Sequence, residues 1–369
     1  MNVFVARQFP IPCRDLKSIA SVLRERSALC GVINLSANWY DPMWYAEEQG
    51  LHAMTFTLLL DRNIYSLAVG LADGDDAEYT DSHRAAAAVL CFAHCCGLRT
   101  DYSIAVLEHE LDSGDPRFSH ELAKFRRVWA SGAKSLATFA LGGSACLTLA
   151  PGSPDLPAEL PELSEVHRPD AWQLDYGCAL KIASLMLDSG FADDTDRMVA
   201  YLRWCHDEFF FSAGPTVYGS LALSPRRKPR MFKNLRGTDG ERAMRGIRNA
   251  AWDMTLISEW EERQAKLSTT KNHHLICSFD EAITDVASAV MSQGLDEAQR
   301  LGRLRDRFIS EWGDDGGSKL FGTYEPMLRS ADQDPKRPAN QKKPRAYWNE
   351  KVARLETTVE NLIPGCHRS

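Results

Sequence analysis

Residues Ala53 to Leu60 read Ala-Met-Thr-Phe-Thr-Leu-Leu-Leu and break off abruptly at Asp61-Arg62-Asn63. The run is too short for an ordinary helix, carries β-branched Thr55 and Thr57, and is nearly continuously apolar rather than alternating. A strand buried on both faces, at the centre of a parallel sheet covered by helices, has this pattern. A second short run, His274-Leu275-Ile276-Cys277-Ser278, has the same character and leads into Phe279-Asp280. Helical periodicity surrounds the two strands. It covers Asp15–Arg26, Ile64–Leu71, Ser82–Cys96, Ile104–Leu111, Phe118–Ala150, Trp172–Leu187, Asp194–Phe211, Glu241–Lys266, Glu281–Met291 and Ala298–Trp312. Isolated apolar strands among helices predict an α/β fold with a mainly parallel central sheet flanked by helices.

Composition agrees with a globular chain. Its 369 residues are 44% hydrophobic and 25% charged, which excludes collagen-like, low-complexity and disulfide-stapled classes. Ten cysteines, unevenly spaced and with Cys95 and Cys96 adjacent, do not form a secreted disulfide framework. Met1 to Pro10 lacks the apolar core of a signal peptide, so a reducing, cytoplasmic setting is the expectation. The longest uncharged apolar stretch, Ser135 to Ala150, is 16 residues, shorter than the roughly 20 that span a bilayer, so no membrane association is expected.

Both strands end in an aspartate. In parallel sheets, functional side chains collect at the carboxyl ends of the strands. A carboxylate there is costly unless it is exposed in a cleft, paired or bound to a cation. Asp61 and Asp280 occupy equivalent positions, which suggests a shared cation. Asp253 lies beside the apolar face marked by Ala250, Met254 and Ile257. Glu108 lies near the inward side marked by Ile104, Leu107 and Leu111, with Glu110 as its rival. Converging carboxylates favour a hard, oxygen-preferring ion, Mg²⁺ or Mn²⁺, and such a site suits phosphodiester hydrolysis.

At these residues the sequence resembles the PIN-domain nucleases. Asp61-Arg62-Asn63-Ile64 after an apolar strand is similar to the D-x-N-(apolar) opening of that family. Asp253 followed by Leu275-Ile276-Cys277-Ser278-Phe279-Asp280 is similar to its closing pattern. The resemblance implies a Mg²⁺- or Mn²⁺-dependent endoribonuclease with Asp61, Glu108, Asp253 and Asp280 as metal ligands, Asn63 and Ser278 assisting through hydrogen bonds, and RNA as substrate. It also implies roles such as those of toxin–antitoxin systems and RNA-processing factors; an acidic nuclease with basic arms is, separately, a candidate for inhibition by a partner protein. The 145-residue interval between Glu108 and Asp253 then requires a large helical insertion.

The expected organisation is an N-terminal helical extension (1–50), the first part of a PIN-like core (51–115), a helical insertion with Pro-rich and basic loops (116–236), the second part of the core (237–312) and a basic C-terminal extension (313–369). Pro151, Pro154, Pro157 and Pro161 mark a loop inside the insertion.

Net charge is −7, yet nine Lys or Arg crowd Ser224 to Arg248 against only Asp239 and Glu241, and seven crowd Gln333 to Arg354 against Asp334 and Glu350. Clustered cations on an acidic body suggest a polyanion contacted locally, and Arg226, Arg227, Lys228, Arg230, Lys233, Arg245 and Arg248 are the candidate RNA contacts. The C-terminal run reads equally as a solvated tail. The rival reading is a non-catalytic helical protein that binds nucleic acid or an acidic partner through residues 224–248. A metal-dependent phosphatase or a DNA-directed nuclease would share the acidic site, and a homo-oligomer is compatible with the sequence. Cys91, His94, Cys95 and Cys96 lack the separated pairs of a structural zinc site, and buried free thiols are the expectation.

Overall fold

The computed structural model describes residues 8–31, 38–76, 78–113, 118–150, 170–226, 231–266, 270–290, 297–330, 333–334 and 342–364. The chain forms two compact units. One comprises Met1–His167 with Glu259–Thr284, and the other Arg168–Ser258 with Asp285–Ser369.

The first unit is built on a four-stranded sheet of β1 (Leu29–Cys30), β2 (Thr55–Leu60), β3 (Arg99–Asp101) and β4 (Asn272–Cys277), in the order β1-β4-β2-β3. β2 runs parallel to both β4 and β3, and β1 is antiparallel to β4. The two apolar runs are thus the central neighbours, in register from Thr55 opposite Asn272 to Leu60 opposite Cys277. Phe56, Leu58, Leu60, Leu275 and Cys277 share one apolar core with the surrounding helices. Those helices are α1 (Cys13–Glu25), α2 (Pro42–His52), α3 (Arg62–Gly70), α4 (Asp81–Cys96), α5 (Ser103–Ser113), α6 (Phe118–Ala130) and α7 (Gly132–Ala140). α4 packs against α1, α2, α3 and α7. Its run Ala85-Ala86-Ala87-Ala88 is wholly buried, and the small side chains let neighbouring elements approach closely. Gly97 ends α4 at φ 64°, the left-handed cap that glycine adopts without a Cβ penalty.

The second unit, among the described residues, is helical: α8 (Asp170–Leu187), α9 (Asp194–Asp207), α10 (Ala213–Leu223), α11 (Gly240–Ala265) up to Ser258, α12 (Glu281–Val290) from Asp285, α13 (Glu297–Ser330) and α14 (Arg345–Leu362). α14 packs along α8, α13 along α9, and α10 against both α8 and α9. Aromatic side chains fill this core: Trp204 stacks on Phe209 at 4.4 Å between ring centroids, and Trp172 lies 5.7 Å from Trp252. Tyr176 on α8 donates to Glu356 on α14 at 2.6 Å.

The fold is α/β, with helices dominating and a small, mixed, mainly parallel sheet. Several expected boundaries shift for identifiable reasons. Phe118–Ala150 divides into α6 and α7 at Gly132, whose φ of 73° leaves the helical region, and regular structure stops at Ala140. The helix expected over Ala298–Trp312 continues to Ser330 past a break at Gly313, φ 80°. The helices expected inside the 116–236 insertion are divided, α6 and α7 belonging to the first unit and α8 and α9, with the unexpected α10, to the second. The basic C-terminal stretch contains α14, whose Val352 and Val359 are buried. Among the described residues no helix is long and apolar enough to cross a membrane.

Candidate carboxylate site at the ends of the central strands

Because β2 and β4 run parallel and in register, their last residues emerge side by side. Asp61 continues the ladder, its N–H donating to Cys277 O at 3.0 Å, and then starts α3, its carbonyl accepting Tyr65 N–H at 3.0 Å. On the neighbouring strand the Ser278 N–H donates to Ala28 O at 3.1 Å. A relay links the backbone of Asp280 to the Ser278 and Asp61 side chains. The Asp280 N–H donates to Ser278 Oγ at 2.9 Å, and Ser278 Oγ–H donates to Asp61 Oδ2 at 2.8 Å. Asn63 Nδ2 donates to the same Asp61 oxygen at 3.2 Å. Asp280 Oδ1 accepts the Ala282 N–H at 2.8 Å and so is oriented by the first turn of α12.

Asp61 is 5% exposed and Ser278 0%, whereas Asp280 is half-buried. Burial pushes the Asp61 carboxyl above the ordinary aspartate range; the hydrogen bond from Ser278 opposes this, the charge of Asp280 adds to it, and Asn63 and the Arg62 backbone oppose it. The Cys277 thiol is raised by burial and by the Asp61 charge. Asp280 opens onto a cleft of about 490 Å³ lined also by Asn63, Ser66, Leu67, Ser82, His83 and Phe279. A carboxylate at an open cleft, linked through Ser278 to a second, buried one, offers the oxygen donors that a hard divalent ion takes. Mg²⁺ commonly takes only one or two protein carboxylates and fills its remaining positions with water and substrate phosphate. The donor set is all oxygen, which fits.

The other expected ligands are placed differently. Glu108 is half-buried on α5 and does not line the cleft, and the Glu110 side chain lies outside the described residues. Asp253 lies in the second unit, where it accepts the Tyr218 hydroxyl at 3.2 Å. Among the described residues no group of three or more His, Cys, Asp or Glu side chains is arranged to hold a metal ion. The cluster in the structure therefore comprises Asp61, Asp280, Asn63 and Ser278.

The basic residues divide as well. Arg227, Lys228 and Arg230 lie outside the described residues. Arg226 donates to Ser310 O at 3.1 Å, and Arg248 lies within hydrogen-bonding reach of Tyr176; both support the second unit's packing. Lys233 and Arg245 are exposed, Arg245 within 3.2 Å of Glu241. Gly246 keeps this surface together: a Cβ there would press on the Lys233 carbonyl oxygen. Cys91, Cys95 and Cys96 are buried thiols, and the His94 ring stacks on Trp129 at 3.9 Å.

Ser66, Ser82, His83 and Phe279 also line the cleft, and little in the sequence singles them out. The only sequence signals are the i, i+3 spacing of Asn63 and Ser66 and the position of Phe279 beside Asp280. Comparison with protein-family models, with curated proteins and with solved structures finds no match to this chain.

Proposed function

We propose that this chain is a divalent-metal-dependent nuclease that hydrolyses RNA phosphodiester bonds, with a PIN-like core in its first unit. The observation that carries this reading is the Asp280–Ser278–Asp61 relay at the ends of adjacent parallel strands, opening on a cleft of nucleotide size. Asp61 and Asp280 would hold Mg²⁺ or Mn²⁺. When bound, the ion supplies a lowered pKa for coordinated water and charge neutralisation at the phosphoryl oxygens. The chain's own residues do the rest. Ser278 and Asn63 fix the Asp61 carboxylate by occupying Oδ2, the Ala282 N–H holds Asp280, and burial at Asp61 limits competition from water. RNA as the polyanion is supported by the exposed cations Lys233 and Arg245 in an otherwise acidic protein.

Purified protein incubated with total RNA will cleave it in Mn²⁺ and not in EDTA; equal degradation in both sinks the reading. Mn²⁺ alone will also raise the melting temperature, since an ion bound only to the native state at a hundred times its Kd adds about 2.7 kcal/mol. A melting curve indifferent to Mn²⁺ counts against the site.

The substitutions Lys233→Glu and Arg245→Glu will weaken RNA binding at low salt without changing the melting temperature by much. For every phosphate that is no longer neutralised, the slope of log K against log [salt] will become shallower by about 1. Unchanged slopes in both variants remove these residues from the RNA-binding face.

A further inference from the structure

His83 lies at the first turn of α4 on the wall of the cleft that Asp280 opens onto, and no part of the carboxylate relay uses it. Its ring is held on three sides. The Thr80 backbone N–H donates to Nδ1 at 3.2 Å, and the Thr80 hydroxyl lies 3.0 Å from the same nitrogen. The Tyr79 ring meets the imidazole edge-on, 5.5 Å between centroids, and the Tyr79 hydroxyl is itself anchored by donating to Gly74 O at 2.9 Å. On the remaining side Nε2 passes over Gly70, where a Cβ would lie 3.3 Å away.

These contacts decide the tautomer. A backbone N–H can only donate, so Nδ1 must accept, and in a neutral imidazole the proton then sits on Nε2. Burial lowers the pKa of this histidine, the charge of Asp73 opposing it, which favours the neutral ring. The cleft therefore contains, with the Asp280 carboxylate, a histidine whose Nε2 carries the proton and donates. Ser66 and Ser82 line the same cleft. A neutral donor suits a cleft already bearing the Asp280 carboxylate, because it contacts a phosphoryl oxygen without the ion pair that a cation would form.

We infer that His83 is a substrate-contacting residue that donates its Nε2–H to a non-bridging oxygen of a bound phosphodiester. The inference rests on the hydrolytic reading of the site and adds to it a group that receives the substrate's charge. Gly70 has a role in this arrangement, since the missing side chain leaves the room in which Nε2 sits.

Two measurements test it. In protein labelled with ¹⁵N-histidine, the His83 Nε2 signal will be that of a protonated nitrogen, and it will move when a short phosphorothioate oligoribonucleotide is titrated in Mg²⁺. In Mn²⁺-dependent cleavage, His83→Ala will lower kcat by roughly a hundredfold, the scale of losing one donor to a developing oxyanion. His83→Gln, whose amide nitrogen falls near the position of Nε2, will restore most of that rate. Both variants are first shown to melt cooperatively. A silent Nε2 signal at saturating oligonucleotide overturns the inference, as does a His83→Ala enzyme as fast as the wild type or a folded His83→Gln enzyme as slow as the alanine variant. A wild type that shifts the His83 signal but cleaves nothing overturns the hydrolytic reading and leaves the contact standing. A wild type that cleaves while His83 stays silent does the reverse.

Discussion

Asp61→Asn melts at a higher temperature than the wild type in EDTA and no longer cleaves RNA in Mn²⁺. The two effects have one origin. Burial raises the folded-state pKa of Asp61 above its unfolded value, so the folded protein binds the proton more tightly than the unfolded chain. As pH rises through the unfolded pKa, the unfolded chain gives up its proton first and stability falls. Above the folded pKa the penalty is complete and constant, so an ionised Asp61 costs stability at neutral pH. Asparagine keeps the shape and an acceptor for Ser278 Oγ–H while removing the charge. The melting temperature rises by about 2–4 °C for each kcal/mol relieved, for a unit of this size. Cleavage falls by roughly a hundred- to a thousandfold or more, because the anionic ligand is gone. The advantage of Asp61→Asn over the wild type in melting temperature grows as pH is raised from acid towards neutrality. A less stable Asp61→Asn protein contradicts the electrostatic account; a stable variant that cleaves normally contradicts the catalytic one. Alanine at both Asp61 and Asp280 will give the same loss of cleavage in a folded protein.

Gly246→Val is the second large effect, and it falls on the other unit. A Cβ at position 246 meets backbone, the carbonyl oxygen and carbon of Lys233, with the carbon 3.2 Å away, and backbone cannot swing aside as a flexible side chain can. The segment around Lys233 is anchored there by buried Met231, Phe232 and Leu235. Valine will therefore cost about 1–3 kcal/mol or more, and helix propensity offsets little of it. Chemical denaturation will show the loss. RNA affinity will fall with it, because Lys233 is displaced from the surface it shares with Arg245. A variant as stable as the wild type would mean that the 231–237 segment moves away from α11 without cost.

What was legible in the sequence was what local pattern determines. β2 and β4 were readable because a parallel central strand is apolar on both faces, and their terminal aspartates were readable because an acid at the end of such a run is physically conspicuous. Asn63 and Ser278 were named only because the residues around those acids resemble the PIN-domain pattern. β1 was not legible, since two residues carry no periodicity, nor was β3, whose Arg99-Thr100-Asp101 is a polar edge strand. α10 was missed because Gly214 to Leu221 is buried all round and shows no amphipathic stripe. α14 was obscured by its charge. Asp253 illustrates the limit of helix-face reasoning. The apolar neighbours placed it correctly beside a core, but periodicity cannot say which core, and its partner Tyr218 belongs to the second unit. His83 was invisible for a related reason: it matters only because chain far away in sequence closes the other side of the cleft.

The order of the strands sets a schedule for synthesis. Of the four strands β4 is the last to leave the ribosome, yet its place is between β1 and β2. Until residue 277 has emerged, β2 has an open edge where its principal partner belongs, and Ser278 and Asp280 do not yet exist. A nascent chain truncated anywhere within residues 168–258 can carry α1 to α7 and still lack half of the relay. Activity would therefore appear only after residue 280 has cleared the exit tunnel.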